Sequence, residues 1–132
     1  MELLIGYATL RLALGFNVFM HGFVRLQKDR RAFAVAIEKE FEDTVLPKTA
    51  VVIFASLLPY LEALIGLLLI AGLFTQVTLL AGFSLMLLLM LGKSLKADWQ
   101  VVSLQMIYVA FYGLLIMLLK SNHISLDQLL FG

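Results

Sequence analysis

Four long apolar runs separated by short polar stretches make up most of this chain. They extend over residues 3–23, 49–74, 77–92 and 101–119, from Leu3 to Phe23, Thr49 to Phe74, Val77 to Gly92 and Val101 to Leu119. A bilayer core about 30 Å thick is crossed by about 20 helical residues, so each run has the character of a membrane-spanning helix. Backbone polar groups in lipid must find partners inside the protein, and the Thr75-Gln76 link is too short for anything but antiparallel neighbours. The pattern predicts an all-α integral membrane protein: four transmembrane helices in an antiparallel bundle, one domain over residues 1–132. The second run contains Pro59, where a tilt or kink is expected. The first run lacks a basic leader and carries Arg11 within it, so it reads as a retained span rather than a signal peptide.

Between the first two runs the pattern changes. In DRRAFAVAIEKEFEDTVL, residues 29–46, the apolar positions Phe33, Ile37, Phe41 and Val45 recur every four residues, one stripe of an amphipathic helix. Asp29 is placed to cap its start. Such a helix lies on the membrane surface or folds under the bundle as a lid; a solvated helical connector is the plainer expectation. Orientation follows from the basic residues. Arg25, Lys28, Arg30, Arg31, Lys39 and Lys48 flank or occupy this stretch, and Lys93 and Lys96 sit between the third and fourth runs. The opposite side has Lys120 and the terminal amine. Both termini are therefore expected outside and the two charged loops in the cytoplasm.

Composition narrows the chemistry. Hydrophobic residues are 62% of the chain, against about 45–50% in soluble domains, so the lipid bilayer is the first partner. The net charge of +1 comes without a basic, aromatic-interleaved patch, which argues against nucleic acid. With no cysteine, thiolate catalysis and an iron–sulfur cluster are excluded. The two histidines, His21 and His123, are expected at opposite membrane faces and cannot form an axial pair for haem. The ligand count and spacing do not suit a metal site either.

Polar residues inside the spans carry what functional signal there is. A charge within a span costs about 2.5–3.5 kcal/mol on insertion scales and normally faces the interior with a partner. Arg11 and Glu62 have opposite signs. With both helices starting flush at the outer surface, Arg11 lies roughly 12 Å deep and Glu62 roughly 17 Å deep, so they are expected to pair. On the first span Tyr7, Arg11, Asn17, His21 and Arg25 share one arc, beside a strip of Ala8, Gly15 and Gly22 at seven-residue intervals that admits another helix closely. On the fourth, Gln105, Tyr108 and Tyr112 share a face. These residues predict a polar interior between spans one, two and four, with span three supporting it and Arg25 marking the cytoplasmic exit. Arg11 and Glu62 would organise this interior; Asn17, His21, Gln105, Tyr108 and Tyr112 would line it. Its donors suit the carbonyl oxygens of a quinone head group or an oxyanion. The competing expectation is a structural scaffold whose buried ion pair fixes helix register.

Two stretches resemble a known family. RLALGFNVFMHGFVRL is similar to the first helix of the DoxX family, in which an R-L-x-L-G run leads to H-G-x-x-K. PYLEALIGLLLIAGLFTQ resembles that family's span with a central glutamate, a glycine four residues on and a closing G-L-x-T-R. Arg25 stands where lysine is common, and Gln76 where arginine is common. The resemblance implies a four-helix protein of the bacterial inner membrane, with Arg11, His21, Gly22, Arg25, Glu62 and Gly66 at the matching positions. The family is named for a subunit associated with thiosulfate:quinone oxidoreductase. An accessory or quinone-interacting subunit of a membrane redox system, working beside partner subunits, is the leading functional expectation. A protein that binds or transports a small molecule, lipid or anion is the alternative, and a complete transport path through so short a chain would need a homo-oligomer.

Overall fold

A computed structural model describes all residues, 1–132. The chain is all-helical and has four helices long and apolar enough to cross a membrane: α1 (Glu2–Gln27), α3 (Lys48–Ala71), α4 (Thr75–Leu95) and α5 (Trp99–Met117). The shorter α2 (Arg30–Glu40) follows α1, and a 3-10 turn (Leu119–Ser121) leads to α6 (Leu126–Phe131). The expected second run ends three residues early, at Gly72, whose φ of +70° closes α3 in the left-handed conformation. The amides of Gly72 and Leu73 both bond to the Leu68 carbonyl, at 2.9 and 3.0 Å, which satisfies a carbonyl that the helix end leaves free. The third run is longer than its apolar stretch suggests, because α4 starts at Thr75 and continues beyond Gly92 to Leu95.

Glycine sets the tightest contact. A Cβ on Gly15 would lie 2.9 Å from the Ile70 amide nitrogen, one on Gly22 would strike the backbone of Pro59 and Ala63, and one on Gly66 the backbone of Phe19. Three small positions thus bring α1 and α3 together backbone to backbone, as close crossings in membranes require. They also fix the register: Gly15 faces Gly66–Ile70 and Gly22 faces Pro59–Ala63, so Gln27 comes level with the turn at Leu58. From there α3 runs on toward Lys48 for about ten residues, ~15 Å, with no α1 beside it.

The α2 helix occupies that space. Asp29 caps it, its carboxylate accepting from the amides of Arg31 and Ala32 at 3.0 and 3.2 Å. Arg30 bonds to the Tyr60 hydroxyl, and Glu38 reaches Lys48 at 2.9 Å. The helix therefore runs antiparallel along the first half of α3 rather than standing free in solvent as a connector. Its stripe faces inward at Phe33, Ile37 and Phe41, with Phe41 buried against Gly92. Val45 lies beyond the helix end and is exposed. On the other side of the bundle α5 pairs with α4, where the Tyr112 ring packs directly on Gly82.

At the end remote from α2 the two helix pairs are drawn together. The Tyr7 hydroxyl donates to the Leu115 carbonyl at 2.9 Å, and Leu69, Leu79, Tyr112 and Leu115 form the fully buried centre. The α6 helix docks on the α3–α4 turn through Asp127. Its two carboxylate oxygens accept from the amides of Phe74 (2.6 Å) and Thr75 (2.7 Å), while its own amide donates to the Gly72 carbonyl (2.9 Å). The C-terminal tail is thus a cap on the start of α4. Burial pushes the Asp127 carboxyl up, but hydrogen bonds from Thr75 and Phe74 and the charge of Arg11 outweigh it and hold it below its ordinary value. A depressed carboxyl stabilises the fold above its unfolded pKa, about 3.9, and loses that contribution as pH falls through the lower folded value. Asp127→Asn, which turns an NH₂ against one of the two amides the carboxylate accepts from, is expected to cost about 1–2 kcal/mol. It should also remove the acid dependence below about pH 4; denaturation in detergent at pH 7 and pH 3.5 measures both.

Candidate functional site

Away from this closed end the pairs diverge and enclose a half-open cavity of about 680 Å³. Most of its wall is apolar: Val51, Phe54 and Leu58 from α3, Met86 and Leu89 from α4, Val101 and Leu104 from α5, and the stripe of α2. The supporting helix of the sequence reading, α4, is therefore part of the wall. Five polar side chains from α1 and α5 interrupt it. Asn17, His21 and Arg25 stand on successive turns of α1, and Gln105 and Tyr108 on one face of α5.

These groups differ in how far the protein satisfies them. The Tyr108 hydroxyl donates to Asn17 Oδ1 at 3.0 Å, a bridge from α5 to α1. The His21 ring meets the Tyr108 ring edge-on with centroids 6.5 Å apart. Tyr108 thus stands at the level of Asn17 and His21. Gln105 Oε1 is buried with no hydrogen-bond partner, alone among buried side-chain polar atoms. Leaving such an acceptor unmet costs about 1–3 kcal/mol.

The two cations in the wall are both neutralised. Arg25 Nη1 is 2.5 Å from Glu62 Oε2 and its guanidinium lies over the Phe33 ring, 5.0 Å from the centroid. Lys93 is paired with Glu40. The cavity therefore presents amides, an imidazole and a phenol but no uncompensated charge.

Three expected site residues lie elsewhere, and the expected ion pair is not formed. Arg11 is buried at the closed end, where Nε donates to the Leu69 carbonyl (2.9 Å) and Nη1 to Asn122 Oδ1 (2.6 Å). Asn122 in turn donates from Nδ2 to Thr75 Oγ1 at 3.0 Å. Glu62 pairs with Arg25 and stands behind the wall rather than in it. Tyr112 is 1% exposed in the core. The difference is one of register: flush helices would set Arg11 near Glu62, whereas the glycine contacts slide α1 toward the α3–α4 turn. Arg11 is carried past Glu62 and Arg25 is brought back to it, so Arg25 is an internal partner rather than an exit marker. Phe33, Ile37 and Phe41 are the wall residues that a search for polar groups missed; their four-residue period was the available signal.

Comparison with known families matches residues 31–132 to the model described as "TQO small subunit DoxD". The matched region covers α2 to α6 and begins after α1, the helix bearing Asn17, His21 and the resembling R-L-x-L-G stretch. A search of curated proteins and a search of solved structures each gave no match. The matching family is thus DoxD, a relative of the DoxX family that the motifs resemble. With four apolar helices and a match over most of its length, the chain is a multi-pass membrane protein of the DoxD family.

Proposed function

We propose that the cavity binds the head group of a membrane quinone or quinol, and that the protein serves as an accessory subunit to partners carrying the redox chemistry. The carrying observation is Gln105, whose Oε1 is buried without a partner, in the wall of a mostly apolar cavity. Small-molecule sites are typically about 300–1,000 Å³, mostly apolar, with a few convergent polar groups. Turning the Gln105 amide toward the cavity would bring its oxygen to a quinol hydroxyl or its NH₂ to a quinone carbonyl, giving the group the partner it lacks. The Tyr108 and His21 rings, set edge-on, offer aromatic surface beside it. Because Arg25 and Lys93 are each paired with a carboxylate, a neutral head group fits better than an anion, which favours this reading over anion binding or transport. The description of the family as a TQO small subunit agrees with it. Arg11 and Glu62 serve the fold in this proposal. We place the protein in the bacterial inner membrane with both termini outside, as the basic loops suggest.

Titration of the protein in lipid nanodiscs with a short-chain benzoquinol tests the reading. Saturable thermal stabilisation is expected, and Gln105→Leu, which removes one hydrogen bond worth about 0.5–1.5 kcal/mol, should weaken binding roughly 2–10-fold. A flat response of the unaltered protein to saturating quinol and quinone alike would overturn it.

A further inference from the structure

We infer that the cavity is loaded sideways from the bilayer, through the seam between α1 and α5 on the α2 side of the Asn17–Tyr108 hydrogen bond, while α2 is a fixed floor. The inference rests on the quinone reading above and adds the route and the side on which the tail leaves.

The α2 floor is fastened at both ends. At its start Arg25 lies over Phe33, and Arg30 bonds to Tyr60. Past its middle, Glu38 pairs with Lys48 at 2.9 Å, Glu40 with Lys93, and Asp43 with Lys96 at 2.8 Å. These three ion pairs tie the helix and its following loop to the beginning of α3 and the end of α4. Each is modest alone, since exposed pairs are worth about 0–1 kcal/mol, but all three fall within residues 38–43 of one short stretch. The Lys96 hydrogen bond and charge also keep the Asp43 carboxyl below its ordinary range, so the pair is ionised at neutral pH. Phe41 completes the floor by packing into the space that Gly92 leaves open.

The α1–α5 seam is built otherwise. On the closed side it is joined by Tyr7 to Leu115 and by Tyr108 to Asn17. Beyond Tyr108, toward α2, no hydrogen bond or ion pair links α1 to α5. Asn17 and His21 are exposed although they line the cavity, as is Leu104 across from them. The cavity therefore reaches the outside of the bundle along this seam, at membrane depth. A tail leaving through it passes Val101 and Leu104 into lipid. One leaving between α2 and the ends of α3 and α4 would have to cross six charged side chains, and burying an apolar chain among paired ions means parting them from one another or from water. A long isoprenoid tail exceeds the room inside, so it must leave by one route, and the chemistry of the two routes differs sharply.

The test uses the full chain in liposomes and a benzoquinone probe with a photoreactive diazirine on its isoprenoid tail. Labelling that excess unlabelled quinone suppresses should fall on α1 and α5, at Leu104 and in the stretch around His21. It should persist when Glu40→Cys and Lys93→Cys are joined by a short bis-maleimide, a bridge with no competitor because the chain has no cysteine of its own. Leu104→Trp, which fills the seam, should slow probe association at least tenfold. Suppressible labelling concentrated on α2 or around Gly92, or loss of uptake once α2 is bridged, would overturn the seam while leaving the quinone site standing. Labelling that excess quinone does not suppress would sink both.

Discussion

Glu62→Gln should destabilise the protein by about 3 kcal/mol, with the double replacement Arg25→Met/Glu62→Met recovering most of the loss. Breaking a buried ion pair from one side typically costs about 3–5 kcal/mol because the remaining charge is left without compensation, whereas removing both charges together is often close to neutral. The low end applies here, since the Arg25 side chain keeps 34% of its surface exposed while that of Glu62 keeps 8%. The stranded arginine would still have the Phe33 ring, worth about 0.5–2 kcal/mol, and the neutral amide oxygen of the new glutamine, but no opposite charge. Double-mutant cycles on unfolding in detergent decide which arginine is the partner. Arg25 and Glu62 should couple strongly. Arg11→Met and Glu62→Met should add to within about 0.5 kcal/mol, as separated sites do. Coupling between Arg11 and Glu62 larger than that between Arg25 and Glu62 would contradict the register of α1 on α3.

That register marks the boundary of what could be read from the residues. Apolar length was enough to count the spanning helices, because lipid imposes one length scale on every one of them. The α2 stripe and its Asp29 cap were legible for a similar reason: a four-residue period and a capping carboxylate are local features. Which arginine meets Glu62 is not local. Ala8, Gly15 and Gly22 announced that some helix would come close, but not which one or at what offset, and a shift of a few turns exchanges one partner for another. The site divided along the same line. Asn17, His21, Gln105 and Tyr108 converge because each shares a helical face with its neighbours. Arg11 and Tyr112 belong to those faces too, yet lie where the bundle has already closed. The closing residues themselves, Asn122 and Asp127, sit in a polar tail whose bonds reach back more than forty positions along the chain, a distance at which spacing gives no guide.

Gly66→Ala gives the sharpest test of the contact behind all of this, because its sign is opposite to the ordinary one. In a helix interior alanine is favoured over glycine by about 1 kcal/mol, and at a position with free space the substitution should stabilise. Gly113 on α5 is such a position: a Cβ there meets nothing within 4 Å, and Gly113→Ala should gain up to about 1 kcal/mol. At Gly66 the added methyl would run into the backbone nitrogen and Cα of Phe19. Neither atom can turn aside as a flexible side chain would, so the whole of α1 must move. Overpacking a well-filled core commonly costs about 1–3 kcal/mol and more where backbone must shift, so Gly66→Ala should destabilise by at least about 2 kcal/mol despite its better helix propensity. The displacement has a consequence at a distance. Pushing α1 off α3 lengthens the reach from Arg25 to Glu62 and loosens the wall carrying Asn17 and His21, so the proposed quinol binding should weaken together with stability. Cavity and ion pair depend on the same backbone contact. A Gly66→Ala protein as stable as the parent, or one that lost stability while binding was untouched, would show that they do not.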